Sequence, residues 1–189
     1  MANWAFTSYA IEGPKEVLLK IEEAILHPTL PENASEGWEG GVLKALGLTW
    51  EERNSDGKGK YMRGFINEEP SWKGDTLVFN AEEAWGLTDF HEVLEKNFPN
   101  IKVYWIVEEE GCEVYATNDK EGKYFKDRVY VDTYIKGMDQ SEYFTSEEDA
   151  YTWLSKITNG KVNTEEDVEE FNENCDEDSF INFHVFEVV

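Results

Sequence analysis

The sequence predicts an α+β fold, because the spacing of its apolar residues changes repeatedly along the chain. In residues 76–135 the apolar period switches from two to about 3.6 and back to two, which is typical of a strand, a helix and then more strands. The N-terminus repeats this order, with a strand pattern over residues 3–12 followed by a helical pattern. A chain of 189 residues is also long enough to bury a sizeable core.

The first half of the chain predicts two strand–helix pairs separated by an irregular insertion. In residues 3–12 apolar side chains occur on both faces, which favours a central strand covered on at least one face. An amphipathic helix follows, and it ends near Leu26. Residues 28–59 are rich in proline and glycine and predict an insertion, with a short helix at 41–48. Strands are expected at 60–66 and 75–84, then a helix over 89–97 with Thr88 as its N-cap.

The second half predicts a strand meander followed by two helices and a closing strand. Residues 101–107, 112–117 and 124–135 are rich in β-branched and aromatic residues and are separated by turn sequences, so 101–135 is expected to form an antiparallel meander. Thr145 or Ser146 is expected to cap a helix that ends near residue 157, and Thr164 a short acidic helix over 165–172. Residues 180–188 alternate as a strand that returns to the sheet.

The order strand, helix, strand, strand, helix, strand is the split βαβ, or ferredoxin-like, pattern. We therefore predict one ferredoxin-like domain over 1–136, with the insertion at 28–59 and the meander at 101–135. Residues 137–189 are expected to form a helical and strand elaboration packed on the same domain.

Four short motifs of the chain resemble a known family. They are the opening Met1-Ala2-Asn3-Trp4, the strand Thr76–Phe79 with its end Ala84-Trp85, the stop Asn97-Phe98-Pro99, and Glu109-Glu110-Gly111. This set is similar to the YubB-type ferredoxin-like family, whose members are uncharacterised and often carried on plasmids, phages and gut-bacterial mobile elements. The likeness covers about residues 1–135 and departs at Trp85-Gly86-Leu87, where the family has Trp-Ser-Pro. It implies a fold and a bacterial context, and it brings no catalytic residues.

The charge of the chain restricts its partners. Forty-one acidic residues against 17 basic ones give a net charge of −24, which argues against direct nucleic-acid binding because few cations are present to release counterions. A basic protein partner, a cation, mimicry of nucleic acid and simple solvation of the surface all remain open. The N-terminus does not resemble a signal peptide and no apolar run approaches the length of a membrane span, so no membrane association and a cytoplasmic setting are expected.

Two groups of residues are the candidate binding sites. Glu82, Glu83 and Trp85 end one predicted strand, and Glu108, Glu109 and Glu110 end another. Convergence of these ends would gather carboxylates beside an aromatic ring, which suits a cation, a sugar or a paired-carboxylate hydrolase. Tyr104 and Tyr115 belong to the aromatic residues of the meander, and they become a protein-binding surface if that face is uncovered.

No motif of the sequence predicts catalysis, a cofactor or a metal. Two cysteines cannot hold a four-cysteine iron–sulfur cluster, and the three histidines lack zinc-ligand spacing. Residues 172–178 imitate the spacing of a calcium loop but lack its glycine and its final acidic ligand. The sequence thus favours an acidic, non-enzymatic interaction protein with an undetermined oligomeric state, and nucleic-acid mimicry is its sharper version. The alternative is a carboxylate-based hydrolase or a carbohydrate-binding module.

Overall fold

The computed structural model describes residues 3–32, 34–175 and 179–189, and it shows a mixed α+β protein. Met1 and Ala2 of the family-like opening, and Asp176 and Asp178 of the calcium-like segment, lie outside the described residues. The chain divides between Asn118 and Asp119 into two compact units. This boundary differs from the predicted one at residue 136.

The first unit contains six strands and three α-helices among its described residues. They are β1 (Trp4–Glu12), α1 (Lys15–Leu26), α2 (Glu39–Ala45), β2 (Gly64–Phe65), β3 (Ser71–Lys73), β4 (Thr76–Ala84), α3 (Phe90–Asn97), β5 (Lys102–Glu109) and β6 (Val114–Thr117), with a 3-10 turn at Glu110–Cys112. The strands pair antiparallel in the order β6-β5-β1-β4-β2, and β3 also pairs with β4. The prediction of a central first strand is confirmed.

The core of the first unit lies on one face of this sheet. Ala5, Tyr9 and Ile11 of β1 are buried there, because alternate residues of a strand point to the same face. The helices α1 and α3 bury the apolar stripes that their spacing predicted, namely Leu18, Ile21, Ala24 and Ile25, and Phe90, Val93 and Leu94. Val42 and Leu43 of α2 join the same cluster, so the insertion contributes to the core.

The second unit contains a three-stranded sheet, two helices and one further short strand among its described residues. Its elements are β7 (Val129–Ile135), β8 (Met138–Phe144), α4 (Glu147–Ile157), α5 (Glu165–Asn174), β9 (Phe180–Val185) and β10 (Glu187–Val188). Within the sheet β8 and β9 flank β7, and both pairings are antiparallel. Val129, Val131 and Ile181 of the strands pack with Ala150 and Leu154 of α4. Ser146 and Thr164 cap the two helices as predicted.

The prediction of a three-stranded meander over 101–135 is wrong in its third strand. β5 and β6 form the expected hairpin, whereas β7 pairs with β8 and β9. The cause lies in residues 119–128, which form a fixed loop. The Asp119 carboxylate accepts from the backbone N–H groups of residues 123, 124 and 125, at 3.1, 2.7 and 2.9 Å. Arg128 donates to the carbonyls of Asp119, Phe125 and Asp127, so it pins the loop through the backbone.

The strand β8 was not predicted, because its residues from Met138 to Tyr143 are exposed and show no apolar alternation. It is formed by a two-residue hairpin turn at Lys136 and Gly137, whose φ angles of 53° and 79° match a type I′ turn. The predicted strand at 60–66 shortens to Gly64–Phe65, and β3 forms where only a chain break was expected.

Candidate functional site

The structure separates the glutamates that the sequence grouped together. Glu82 and Glu83 are consecutive residues of β4, so their side chains point to opposite faces of the sheet. Glu82 is exposed and accepts a hydrogen bond from the Asn67 side chain at 2.7 Å, whereas Glu83 is fully buried. Glu109 is also buried, and its carboxylate accepts from the backbone N–H groups of Gly111 and Cys112. The predicted convergence of all these carboxylates is therefore wrong.

Two of the predicted glutamates, Glu82 and Glu108, do share one face of the sheet. Phe6 of β1 lies directly opposite Glu82 of β4 and directly opposite Glu108 of β5. The two glutamates therefore flank Phe6, and two strand spacings separate their backbones by roughly 10 Å. Phe65 and Tyr115 continue this row on the outer strands.

Four aromatic side chains at this end of the sheet form what we call the aromatic platform: Trp4, Phe6, Phe65 and Trp85. Trp4, Phe6 and Trp85 are 44%, 46% and 50% exposed, which is unusual for side chains of this size. The Trp4 and Phe65 rings meet edge to face with centroids 5.6 Å apart. The platform thus presents a large apolar area to solvent beside Glu82.

The platform is held in place by an unusual backbone at Trp85. This residue has a φ of 59°, in the left-handed region that side chains other than glycine rarely adopt. Its backbone N–H donates to the carbonyl of Asn3 at 2.8 Å, which ties the end of β4 to the residue before β1. Backbone strain of this kind is often found at functional positions.

Arg63 completes the arrangement on the platform. Its guanidinium carbon lies 4.9 Å from the centroid of the Trp85 ring and 5.9 Å from that of Trp4. Both distances are within the range in which a cation is attracted to an indole face. Trp85 was a predicted site residue, whereas Trp4, Phe6 and Arg63 were missed. The available signal was the apolar character of both faces of β1, which we attributed to burial.

Tyr104 and Tyr115 are not part of an exposed binding surface. Both side chains are buried, with 8% and 6% of their surface exposed, so the condition for their use as a binding surface, an uncovered face, is not met. Glu110 is exposed and begins the 3-10 turn after β5. Of the predicted site residues, Glu82 and Glu108 flank Phe6 on one face of the sheet, and Trp85 follows the end of β4, the strand that contains Glu82.

A second polar feature, which we call the carboxylate–hydroxyl cluster, lies inside the core of the first unit. It consists of Thr7, Tyr9, Glu39, Glu83 and Thr88, all almost completely buried. The Glu83 carboxylate accepts from the hydroxyls of Thr7 and Tyr9, the latter at 2.8 Å, and from the Thr88 backbone N–H at 3.1 Å. Burial of an ionised carboxylate requires such a complete set of donors.

The position of the Thr88 hydroxyl determines the protonation of the cluster. Its oxygen lies 2.6 Å from Oε1 of Glu83 and 2.7 Å from Oε2 of Glu39. A hydroxyl has one proton to donate, so it cannot donate to two carboxylates. Since Glu83 already accepts from three other donors, the consistent assignment is an ionised Glu83 and a protonated Glu39 that donates to Thr88.

The surroundings of Glu39 agree with this assignment. Burial first, and then the nearby Glu83 charge, raise the pKa of Glu39 well above its usual value. Burial and the charge of Glu83 likewise raise the pKa of Tyr9. Oε1 of Glu39 has no hydrogen-bond partner among the described residues. No pattern in the sequence indicates this cluster, because α2 begins two residues earlier than predicted and only the fold brings Glu39 to Glu83.

Neither feature is a recognisable catalytic or metal centre. Cavities of about 550, 500 and 250 Å³ are lined by other residues than the five predicted glutamates. In the described ranges, no three His, Cys, Asp or Glu side chains are grouped so as to hold a metal ion. Both cysteines are free thiols.

Comparisons with protein-family models, with curated proteins and with solved structures found no match to this chain. No helix in the described part of the chain has the length and apolar character needed to cross a bilayer.

Proposed function

We propose that this chain is a non-enzymatic binding protein whose partner is a basic protein, and that the aromatic platform is the contact surface. The observation that supports the proposal is the exposure of Trp4, Phe6 and Trp85 at one end of the sheet. Tryptophan and other aromatic residues supply much of the energy of protein interfaces, because they bury a large area with little loss of side-chain freedom. An exposed apolar patch that binds no partner lowers the solubility of a protein.

The negative net charge of the chain favours a partner with a positive net charge. A net charge of −24 attracts basic proteins over a distance of about one Debye length and accelerates their association at low salt. Glu82 and Glu108, on either side of Phe6, provide carboxylates at the edge of the apolar contact. A narrower form of the proposal is nucleic-acid mimicry, in which the surface carboxylates take the place of phosphates and block a DNA-binding enzyme.

The strand order of the first unit supports a ferredoxin-like topology. Counting β1, β3, β4 and β5 as the four strands, their order in the sheet is fourth, first, third, second, and both connecting helices pack into one core. We therefore retain the ferredoxin-like description and the likeness to YubB-type proteins as proposals, together with a bacterial or mobile-element origin and a cytoplasmic setting.

A carbohydrate-binding module is the second candidate, and the half-exposed Trp85 is the observation that favours it. A sugar ring stacks on exposed tryptophan in the same manner as other planar or apolar groups. The hydrolase version has less support. Phe6 occupies the space between Glu82 and Glu108, where a paired-carboxylate enzyme needs room for water and substrate.

The proposal is tested by measuring binding of the full chain to a panel of basic DNA-binding proteins and to soluble oligosaccharides at low salt. The W85A variant is compared with L19A, which removes a similarly exposed apolar side chain from α1. We expect a basic protein to bind, W85A to weaken it by about tenfold, L19A to leave it unchanged, and added salt to weaken it further. Binding to none of the basic proteins, or equal effects of W85A and L19A, would falsify the proposal.

A further inference from the structure

The guanidinium of Arg63 lies against two rings of the aromatic platform. It lies over the Trp85 ring at 4.9 Å and beside the Trp4 ring at 5.9 Å, so the two indoles form a slot for a planar cation. Arg63 is exposed, and no carboxylate of the described residues forms an ion pair with it. Attraction to the two rings is therefore the main interaction of its charged group.

Arg63, which contacts the two rings without an ion pair among the described residues, differs from an arginine that stabilises the fold. Arg53 shows the contrast, because its guanidinium lies over the Tyr61 ring and also pairs with the Asp89 carboxylate at 3.2 Å. An exposed cation–π contact is weak, and an incoming group of the same chemistry can replace it without net loss. Arg63 thus occupies the slot without being fixed in it.

The slot favours arginine over lysine. A guanidinium is flat, weakly hydrated and able to stack on an indole face, whereas an ammonium is a compact and strongly hydrated point charge. Glu82 belongs to the strand that leads directly into Trp85 and lies opposite Phe65 of the platform. A carboxylate there can accept the paired N–H donors of a guanidinium that has stacked on the rings.

We propose that the slot between Trp4 and Trp85 binds an arginine side chain of the basic partner, and that Arg63 is an internal placeholder displaced on binding. The inference rests on the proposed function, and it adds the chemical class of the group recognised. Arg63 occupies the slot in the free protein and lowers the apparent affinity, because the partner's arginine must compete with it.

The test uses two synthetic peptides of equal length and charge, one with arginine–glycine repeats and one with lysine–glycine repeats. Their binding to the full chain is followed by tryptophan fluorescence and calorimetry at low salt. We expect the arginine peptide to bind about two- to fivefold more tightly than the lysine peptide, and W85A to remove this preference. R63A is expected to increase affinity for the arginine peptide by a similar factor.

R53A is the matched control, because it changes the net charge as R63A does without opening the slot. Circular dichroism of each variant verifies that it is folded. Equal affinity for the two peptides, or a loss of affinity in R63A, overturns the slot and leaves the proposed binding of basic proteins standing. If neither peptide and none of the basic proteins binds the wild-type chain, the proposed function fails together with the slot.

Discussion

Replacement of Glu39 by glutamine is expected to stabilise the protein at neutral pH. Glu39 is buried and protonated, since the Thr88 hydroxyl lies between it and the ionised Glu83. A glutamine has the same shape and its NH₂ group donates to Thr88 as the carboxylic acid does. The variant therefore keeps the contact and no longer has to take up a proton on folding.

The size of the effect follows from proton linkage. The folded pKa of Glu39 is raised above the ordinary value of 4.5, so above that pH the folded chain holds a proton that the unfolded chain has released. Stability is therefore lost as the pH rises from 4.5 towards the folded pKa. One proton corresponds to at most about 1.4 kcal/mol per pH unit, so wild type is expected to lose stability relative to E39Q as the pH rises from 5 towards the folded pKa of Glu39.

The assay is urea unfolding of wild type and E39Q at pH 5, 6 and 7. Six of the seven tryptophans belong to residues 1–118, so intrinsic fluorescence reports mainly on the unit that contains Glu39. Subtracting the free energy of unfolding of E39Q from that of wild type removes the contributions of the other acidic groups, which are common to both proteins. Infrared spectroscopy gives an independent measurement, because a protonated carboxyl absorbs separately from a carboxylate and is absent in E39Q.

Two further variants serve as controls. E36Q removes an exposed charge three residues away and is expected to follow the wild-type pH dependence. E83Q replaces the carboxylate that accepts hydrogen bonds from Thr7, Tyr9 and the Thr88 backbone. This substitution is expected to lower the free energy of unfolding by roughly 3–5 kcal/mol at every pH. Parallel pH profiles of wild type and E39Q would show that Glu39 is ionised, and the proton assignment would be wrong.

Three other substitutions test the packing and the loops. G64A places a Cβ 2.4 Å from the Glu39 carboxyl and is expected to cost about 1–3 kcal/mol by urea unfolding, with a smaller cost when combined with E39A. D119N weakens the hydrogen bonds that fix the loop before β7 and is expected to cost about 1–3 kcal/mol at pH 7, whereas D127N has no comparable effect. S146A removes the N-cap of α4 and is expected to cost about 1 kcal/mol, measured as faster hydrogen exchange in the first turn of that helix.

The pH dependence of the Asp119 contribution has the opposite sign to that of Glu39. Burial raises the pKa of Asp119, but backbone N–H groups of residues 123–125 and the Arg128 charge outweigh it and hold that pKa below 3.8. Its stabilising effect is therefore complete above that value and is lost as the pH falls through the folded pKa. The difference between wild type and D119N should shrink in acid.

Elements whose residues alternate between a buried and an exposed face could be predicted from the sequence. The helices α1, α3 and α4 and the strands β1, β4 and β5 were recognised from their apolar period, with ends close to those observed. The strand β8 could not be recognised, because its residues are exposed on both faces and its pairing with β7 is what makes it a strand. The pairing of β7 was also missed, since the loop held by Asp119 replaces the expected tight turn.

The candidate site was predicted only in part, for a related reason. Trp85 and Glu82 were named from their position at the end of a strand, and both lie at the exposed end of the sheet. The sequence analysis placed Glu82 and Glu83 in the same candidate site, but consecutive strand residues point to opposite faces of a sheet. Trp4 and Phe6 were not named as site residues, because composition shows that a strand face is apolar without showing whether anything packs on it.

The sequence alone thus determined the local properties of this protein: most of its helices and strands, the caps of α4 and α5, and a net charge of −24. These depend on neighbours within about one helical turn, or on composition. The tertiary structure decided which glutamate is buried and protonated, which aromatic rings remain exposed, and which cation lies between Trp4 and Trp85. These depend on contacts such as that of Glu39 with Thr88, 49 residues apart, which only the folded chain brings together.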